Sequence, residues 1–164
     1  MRIDSGFDYP GAQLDEVFAM LVDPEFQRQR CAATGALESS VEISGDPCAP
    51  LVRCRRRMAT DGVADFVRRV VGSSVEVLDE LAWALATGPD VRTADVHLTF
   101  AGQPTSMTGR LEVRSDRTGT RGVLTGDLKG GIPFIGGRIE NATAPFILNA
   151  MASEESLGRR WLAK

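Results

Sequence analysis

The chain has 164 residues, a length that buries roughly 70% of the unfolded surface on folding, so we expect one domain spanning residues 1–164. Its net charge of −3 excludes a general attraction to nucleic acid or to anionic lipid. Three cysteines without metal-ligand spacing, and the lack of a signal peptide, indicate free thiols in a cytoplasmic protein that uses no metal or cofactor. No apolar run is long enough to cross a bilayer, so we expect no integral membrane association.

The first third of the chain predicts one strand followed by two helices. Residues 2–9 alternate apolar and polar side chains, which is typical of a half-buried strand. After a Pro-Gly pair the apolar spacing becomes that of a helix with acidic residues in its first turn. Asp23 and Pro24 then act as N-cap and first residue of a second helix, which we expect to reach Thr34.

The middle of the chain predicts a meander of antiparallel strands. Alternating segments are separated by short turns rich in Gly, Pro and Asp, which suit hairpin connections. Between the second and third of these segments, residues 63–72 show helical spacing and are interpreted as a short helix or an irregular flap. The strands are predicted at residues 37–43, 51–58, 75–86, 91–100, 107–113 and 123–129.

The last segment carries the longest helical pattern of the sequence. Apolar side chains recur every three or four residues from about Gly137 to Leu162 and form one continuous stripe. Pro145 lies inside the pattern, where proline removes a backbone hydrogen bond, so we expect a bend just before it. The glycines at the start of this segment favour a close approach between the last strand and the helix.

Three segments of the chain are similar to a known family. They are VEVLDELAWAL (Val75 to Leu85), GDLKGGIPFIGGRIE (Gly126 to Glu140) and EESLGRRWL (Glu154 to Leu162). With the element order and the segment LDEVFAMLVDPEF (Leu14 to Phe26), they resemble the START-like, helix-grip or SRPBCC superfamily. This superfamily includes polyketide cyclases and dehydratases, Bet v 1-type allergens and lipid-transfer domains. Within it, the chain looks like a member of an uncharacterised bacterial family.

The resemblance implies a helix-grip fold of the α+β class. In that fold a strand and two helices are followed by an antiparallel meander, and about seven strands in all wrap around the long C-terminal helix. An apolar cavity lies between the sheet and that helix. The resemblance supplies no catalytic residues, so function has to be argued from individual side chains.

Asp79 and Asp127 are the candidate catalytic acids. Alternation places Asp79 between two apolar residues on a face that we expect to be covered, where a carboxylate must be paired with a cation or carry a proton. Asp127 has the same pattern, and if both pointed inward they would form an acid and base pair for enolisation or dehydration. We favour a structural alternative, because structural ion pairs often perturb acids: a bulge after Leu78 turns Asp79 outward, or Asp79 pairs with Arg110 or Arg138.

Two further polar features are interpreted as surface groups. His97 alternates with apolar neighbours and is expected on the solvated side of its strand, which argues against a catalytic role. In the basic run at residues 53–57, three arginines project to one side, where Glu42 and Glu76 can pair with them, and Arg56 projects to the other. We therefore expect no nucleic-acid partner.

The function expected from this pattern is binding of a small hydrophobic ligand, lipid or polyketide-like, under the last helix. The expected lining and polar contacts are Trp83, Phe100, Leu111, Glu140, Thr143, Phe146 and Ala150. Glu140 and Thr143 have a structural alternative as capping groups. Two other functions remain open, namely a cyclase or dehydratase acting on an aromatic or polyketide-like substrate, and a non-catalytic module that binds a protein partner. The pattern leaves the oligomeric state open as well.

Overall fold

The structure, a computed structural model, describes every residue from Met1 to Lys164. The elements in chain order are β1 (Arg2–Pro10), α1 (Leu14–Leu21), α2 (Pro24–Ala33), β2 (Glu38–Asp46), β3 (Ala49–Ala59), α3 (Asp65–Val71), β4 (Ser74–Trp83), β5 (Val91–Phe100), β6 (Thr105–Ser115), β7 (Gly119–Gly130) and α4 (Gly136–Leu162). All strands form one antiparallel sheet in the order β1, β7, β6, β5, β4, β3, β2. The predicted α+β helix-grip fold is confirmed.

α4 lies across the inner face of the sheet and packs against β1, β7 and α2. Its apolar stripe supplies the contact, and Ile139, Ile147 and Leu157 are buried in it. The helix continues through Pro145 without interruption. Its start lies close to the end of β7, since a Cβ atom on Gly136 would stand 2.3 Å from the carbonyl oxygen of Gly130.

The two N-terminal helices fill one end of the space beneath the sheet. α1 packs against β6 and β7, and α2 packs against β2 and β3. Phe18 of α1 meets Trp83 edge to face at a centroid distance of 5.1 Å. Phe26 of α2 meets Trp161 of α4 in the same way at 5.5 Å. Large aromatic side chains therefore close this end of the core.

α3 is a short helix that packs closely against no other element of the fold. The sequence left helix and flap open for this segment, and the structure has the helix at Asp65–Val71. The Thr60 side chain donates a hydrogen bond of 2.6 Å to the Gly72 carbonyl, which joins the two ends of the segment. Arg138 of α4 lies over the ring of Phe66 at 4.2 Å. α3 is thus held at its ends and at one side chain.

The outer face of the sheet is polar, as the alternation predicted. Arg53, Arg55 and Arg57 each lie within 4 Å of an acid on a neighbouring strand, which confirms the predicted pairing across the sheet. The His97 side chain is 49% exposed on the same face. β4 ends at Trp83, earlier than predicted, so Leu85 lies exposed outside the strand. None of the four helices has both the length and the hydrophobicity needed to span a membrane.

Candidate functional site

A cavity of about 440 Å³ lies between the sheet, α3 and the middle of α4. Of the 26 residues that line it, 17 are hydrophobic. They include valines of α3 and β4, Phe100 of β5, and Phe146, Ile147 and Ala150 of α4. The cavity exists because α4 packs closely on β1 and β7, whereas the wall opposite is the loosely packed α3. No group of His, Cys, Asp and Glu side chains is arranged to hold a metal ion.

Four of the side chains predicted to meet a ligand do line this cavity. They are Phe100, Thr143, Phe146 and Ala150. The Thr143 hydroxyl also donates a hydrogen bond of 2.7 Å to the Ile139 carbonyl, so its oxygen keeps lone pairs for a further partner. The helical and strand periods indicate the face of the helix or strand on which each of these four side chains lies.

Three other predicted residues lie outside the cavity. Trp83 and Leu111 point inward but are buried in the core, where α1 covers this end of the sheet. Glu140 instead accepts hydrogen bonds from the Gly130 N–H and the Met1 amine, each at 3.1 Å. The Gly130 bond, followed by the amine, holds the pKa of Glu140 below its usual range. Its role is to join α4 to the end of β7, which is a structural role but not the capping role that the sequence offered.

The two candidate catalytic acids do not come together. Asp79 is buried on the inner face of β4, whereas Asp127 is exposed on the outer face of β7. β5 and β6 separate the two strands. The acid and base pair depended on both side chains pointing inward, and Asp127 does not meet this condition. The named partners of Asp79 are also wrong, since Arg110 lies 4.0 Å from Asp95 on the outer face and Arg138 lies over Phe66.

Asp79 belongs to a buried charge cluster that joins α2, α4 and the sheet. Arg30 Nη2 lies 2.7 Å from Asp79 Oδ2, and Arg30 Nη1 lies 3.2 Å from Glu154 Oε2. Burial alone would lower the pKa of Arg30, but the two carboxylates hold it above its ordinary value. Burial raises the pKa of Glu154, and Arg30 opposes that shift only in part. The cluster is a structural tie, and its acid is not free to act on a substrate.

Two buried thiols lie beside this cluster. Cys31 of α2 and Cys54 of β3 are neighbouring thiols, and the interaction between them raises the pKa of Cys31 and lowers the pKa of Cys54. The Gln27 side chain accepts from Cys54 at 3.5 Å and donates to the Leu21 carbonyl at 2.6 Å. Both cysteines are fully buried, whereas Cys48 is exposed in the β2–β3 turn.

Arg56 is a residue of the site that the sequence placed on the inner side of its strand but did not select. It lines the cavity, and it is the only charged residue that does so. The alternation of β3 already showed that Arg56 faces the opposite side from the three outward arginines. What the sequence lacked was any signal that a cavity lies beside it, because that depends on α3 and α4.

Comparison with known proteins gives a family and a fold. A family model described as "Protein of unknown function (DUF2505)" matches residues 6–162. No curated protein matches the sequence. A solved structure from Thermus thermophilus aligns over 99% of this chain and 97% of its own, with 17% identity and a TM-score of 0.64. A conserved protein from Geobacillus kaustophilus aligns over 99% and 95%, with 14% identity and a TM-score of 0.61.

A third solved structure is that of a STAR-related lipid transfer protein fragment from Xanthomonas axonopodis. It is 15% identical, covers 96% of this chain and 84% of its own, and has a TM-score of 0.57. At this level of identity the likeness shows the fold alone. The START-like fold expected from the sequence is thereby confirmed, and the family model is that of an uncharacterised family, as the sequence also indicated.

Proposed function

The chain belongs to the DUF2505 family, and from its cavity we propose that it binds a small hydrophobic molecule of lipid-like or polyketide-like structure. The single observation that carries this proposal is the apolar space between the sheet, α3 and α4. Protein interiors are otherwise close-packed, so a void of this size is not a by-product of ordinary packing. Its volume of about 440 Å³ falls within the range of known ligand pockets.

The lining favours an apolar body over a polar one. Hydrophobic side chains make up 17 of the 26 lining residues, and the polar remainder consists mainly of hydroxyl and amide groups. Burying apolar surface contributes about 25 cal/mol per Å², so an apolar ligand gains affinity along most of this wall. A few polar groups suffice to orient it.

A structural relative supports the same class of ligand. The Xanthomonas axonopodis protein is described as a STAR-related lipid transfer protein, and its fold aligns with nearly all of this chain. The cyclase or dehydratase alternative would use Asp79 or Asp127 as its base at the cavity. Asp79 is buried in a charge cluster, and Asp127 is exposed on the outer face, so neither supports the enzyme alternative.

α3 offers a route of entry for the ligand. Val63, Val67, Val70 and Val71 of this segment line the cavity, yet α3 packs closely against no other element. Elements with few packed contacts open at low free-energy cost. An outward movement of α3 about the Thr60–Gly72 junction would admit a ligand without disturbing the sheet.

Native mass spectrometry of the protein purified from its natural host tests the proposal. A bound mass that is released on denaturation and extracts into organic solvent is the expected result. In parallel, a fluorescent apolar probe should bind the wild type with a micromolar dissociation constant. Ala150→Trp fills the cavity and should abolish probe binding, whereas Ala152→Trp, on the exposed side of the same helix, should not. Equal probe binding by both variants would contradict the proposal.

A further inference from the structure

The cavity contains one charged group, the guanidinium of Arg56. Alternation along β3 points Cys54, Arg56 and Met58 inward, so the side chain reaches the cavity from the floor of the sheet. The residue is 8% exposed. A charge removed from water to this extent requires close partners, since its desolvation costs several kcal/mol.

The partners that the chain itself supplies to Arg56 are few and distant. Nη2 lies 3.7 Å from Asp79 Oδ2, beyond hydrogen-bond length. Nη1 donates to the Thr34 hydroxyl at 3.5 Å, a long bond. The buried Nε has no partner. A guanidinium carries five N–H donors, so most of the hydrogen-bonding capacity of Arg56 is unused by the protein.

The neighbouring acids are already engaged by a different arginine. Arg30 lies 2.7 Å from Asp79 and 3.2 Å from Glu154, so both carboxylates direct their closest contact to Arg30. Arg30 also donates to the Gln27 side chain at 2.7 Å. Of the two buried arginines, Arg30 is fully paired and faces the helices, whereas Arg56 is weakly paired and faces the cavity.

We propose that Arg56 binds the carboxylate of the ligand, which is a monocarboxylic acid whose apolar body fills the rest of the cavity. This inference rests on the proposed function. A guanidinium matches a carboxylate with two parallel N–H···O bonds, which are about twice as strong as neutral hydrogen bonds. A monoanion also suits the site better than a phosphate, because no second cation lines the cavity.

Hydroxyl groups in the cavity wall add polar contacts for the acid. Thr34 already contacts Arg56, and Thr34, Thr60 and Ser153 all line the cavity. The valines of α3 and β4, with Phe100 and Phe146, provide the apolar wall for the body of the ligand. The arrangement is that of an amphipathic acid with its headgroup on β3.

Isothermal titration calorimetry with matched probes tests the assignment. Dodecanoic acid, dodecan-1-ol and dodecyl phosphate, all below their micellar concentrations, are titrated at neutral pH into the wild type and into Arg56→Gln, Arg56→Lys and Arg55→Gln. Arg55 is the control, since it lies next in the chain but faces outward and pairs with Glu76. The wild type and Arg55→Gln should bind the acid about tenfold or more tightly than the alcohol.

Arg56→Gln should lose that preference while its affinity for the alcohol stays unchanged, and Arg56→Lys should retain part of it. Any of three results would overturn the carboxylate assignment: equal affinity of the wild type for acid and alcohol, tighter binding of the phosphate than of the acid, or an unaltered preference in Arg56→Gln. Binding of the alcohol would in each case still support the cavity as a ligand site. If none of the probes binds the wild type, the proposed function fails and the assignment fails with it. Should Arg56→Gln not fold, the wild type and Arg56→Lys decide.

Discussion

Gly158 of α4 lies directly against the ring of Tyr9 on β1, so closely that a Cβ atom at position 158 would stand 2.3 Å from the phenol oxygen. The contact fixes how near the last helix can come to the edge of the sheet. Tyr9 is 2% exposed, and its hydroxyl has no hydrogen-bond partner. Burial, with a contribution from Glu154, raises the pKa of Tyr9 above its usual range.

Gly158→Ala should therefore destabilise the protein. The added methyl group overlaps the Tyr9 ring, which is itself held in the core, so helix and strand must separate, at a cost of about 1–3 kcal/mol. Better helix propensity offsets at most about 1 kcal/mol of this. Urea denaturation measures the difference. Gly137→Ala is the control, since a Cβ atom there meets nothing within 4 Å, and a loss of stability as large as that of Gly158→Ala would contradict the explanation.

Asp79→Asn should cost much more stability than Asp127→Asn. The first substitution leaves Arg30 and Arg56 in the interior without their shared carboxylate, and breaking a buried ion pair from one side costs about 3–5 kcal/mol. Asp127 is exposed on the outer face, so its substitution should give no measurable change. Chemical denaturation of both variants checks the order. Equal stabilities would show that the buried cluster does not hold α2 to the sheet.

The stability of the fold should depend on pH through Glu154. Burial raises the pKa of Glu154 in the folded state above the unfolded value of about 4.5, so the folded state binds this proton more tightly than the unfolded state does. The contribution of Glu154 to the free energy of unfolding is complete below the unfolded pKa. It is lost as the pH rises through the higher folded pKa. Glu154→Gln should remove this decline. Chemical denaturation across that pH window measures the decline, with Glu155→Gln as the neighbouring control. If the free energy of unfolding changes with pH in parallel for Glu154→Gln and the wild type, the decline does not come from Glu154.

The three cysteines should differ in reactivity. Cys48 is exposed in a turn, whereas Cys31 and Cys54 are fully buried free thiols. Iodoacetamide should label Cys48 rapidly in the native protein and the other two only after unfolding. Peptide mass spectrometry at increasing urea concentration resolves the three sites. Native labelling of Cys54 at the rate of Cys48 would show that the cavity end of α2 opens readily.

Local sequence signals were sufficient for the element order and for the face of most strand residues. Period-two alternation put Asp79 and Arg56 inward and His97 and the other three arginines outward, and the structure agrees. Alternation was ambiguous at Asp127, because two inward positions of β7 are glycines, Gly122 and Gly126, while the apolar Val123 faces outward in phase with Asp127. The long apolar stripe predicted α4 almost to its ends.

Which inward residues meet the cavity was decided only by the tertiary structure. Trp83 and Phe100 both point inward, but α1 covers the first, whereas the loosely packed α3 leaves the second beside open space. The partner of Asp79 is Arg30, on a helix 49 residues earlier in the chain, and not an arginine of the sheet or of α4. Periodicity states which side of an element a residue faces. It carries no information about where helices cross the sheet, and that crossing determines where packing is complete and where a cavity with one buried arginine remains.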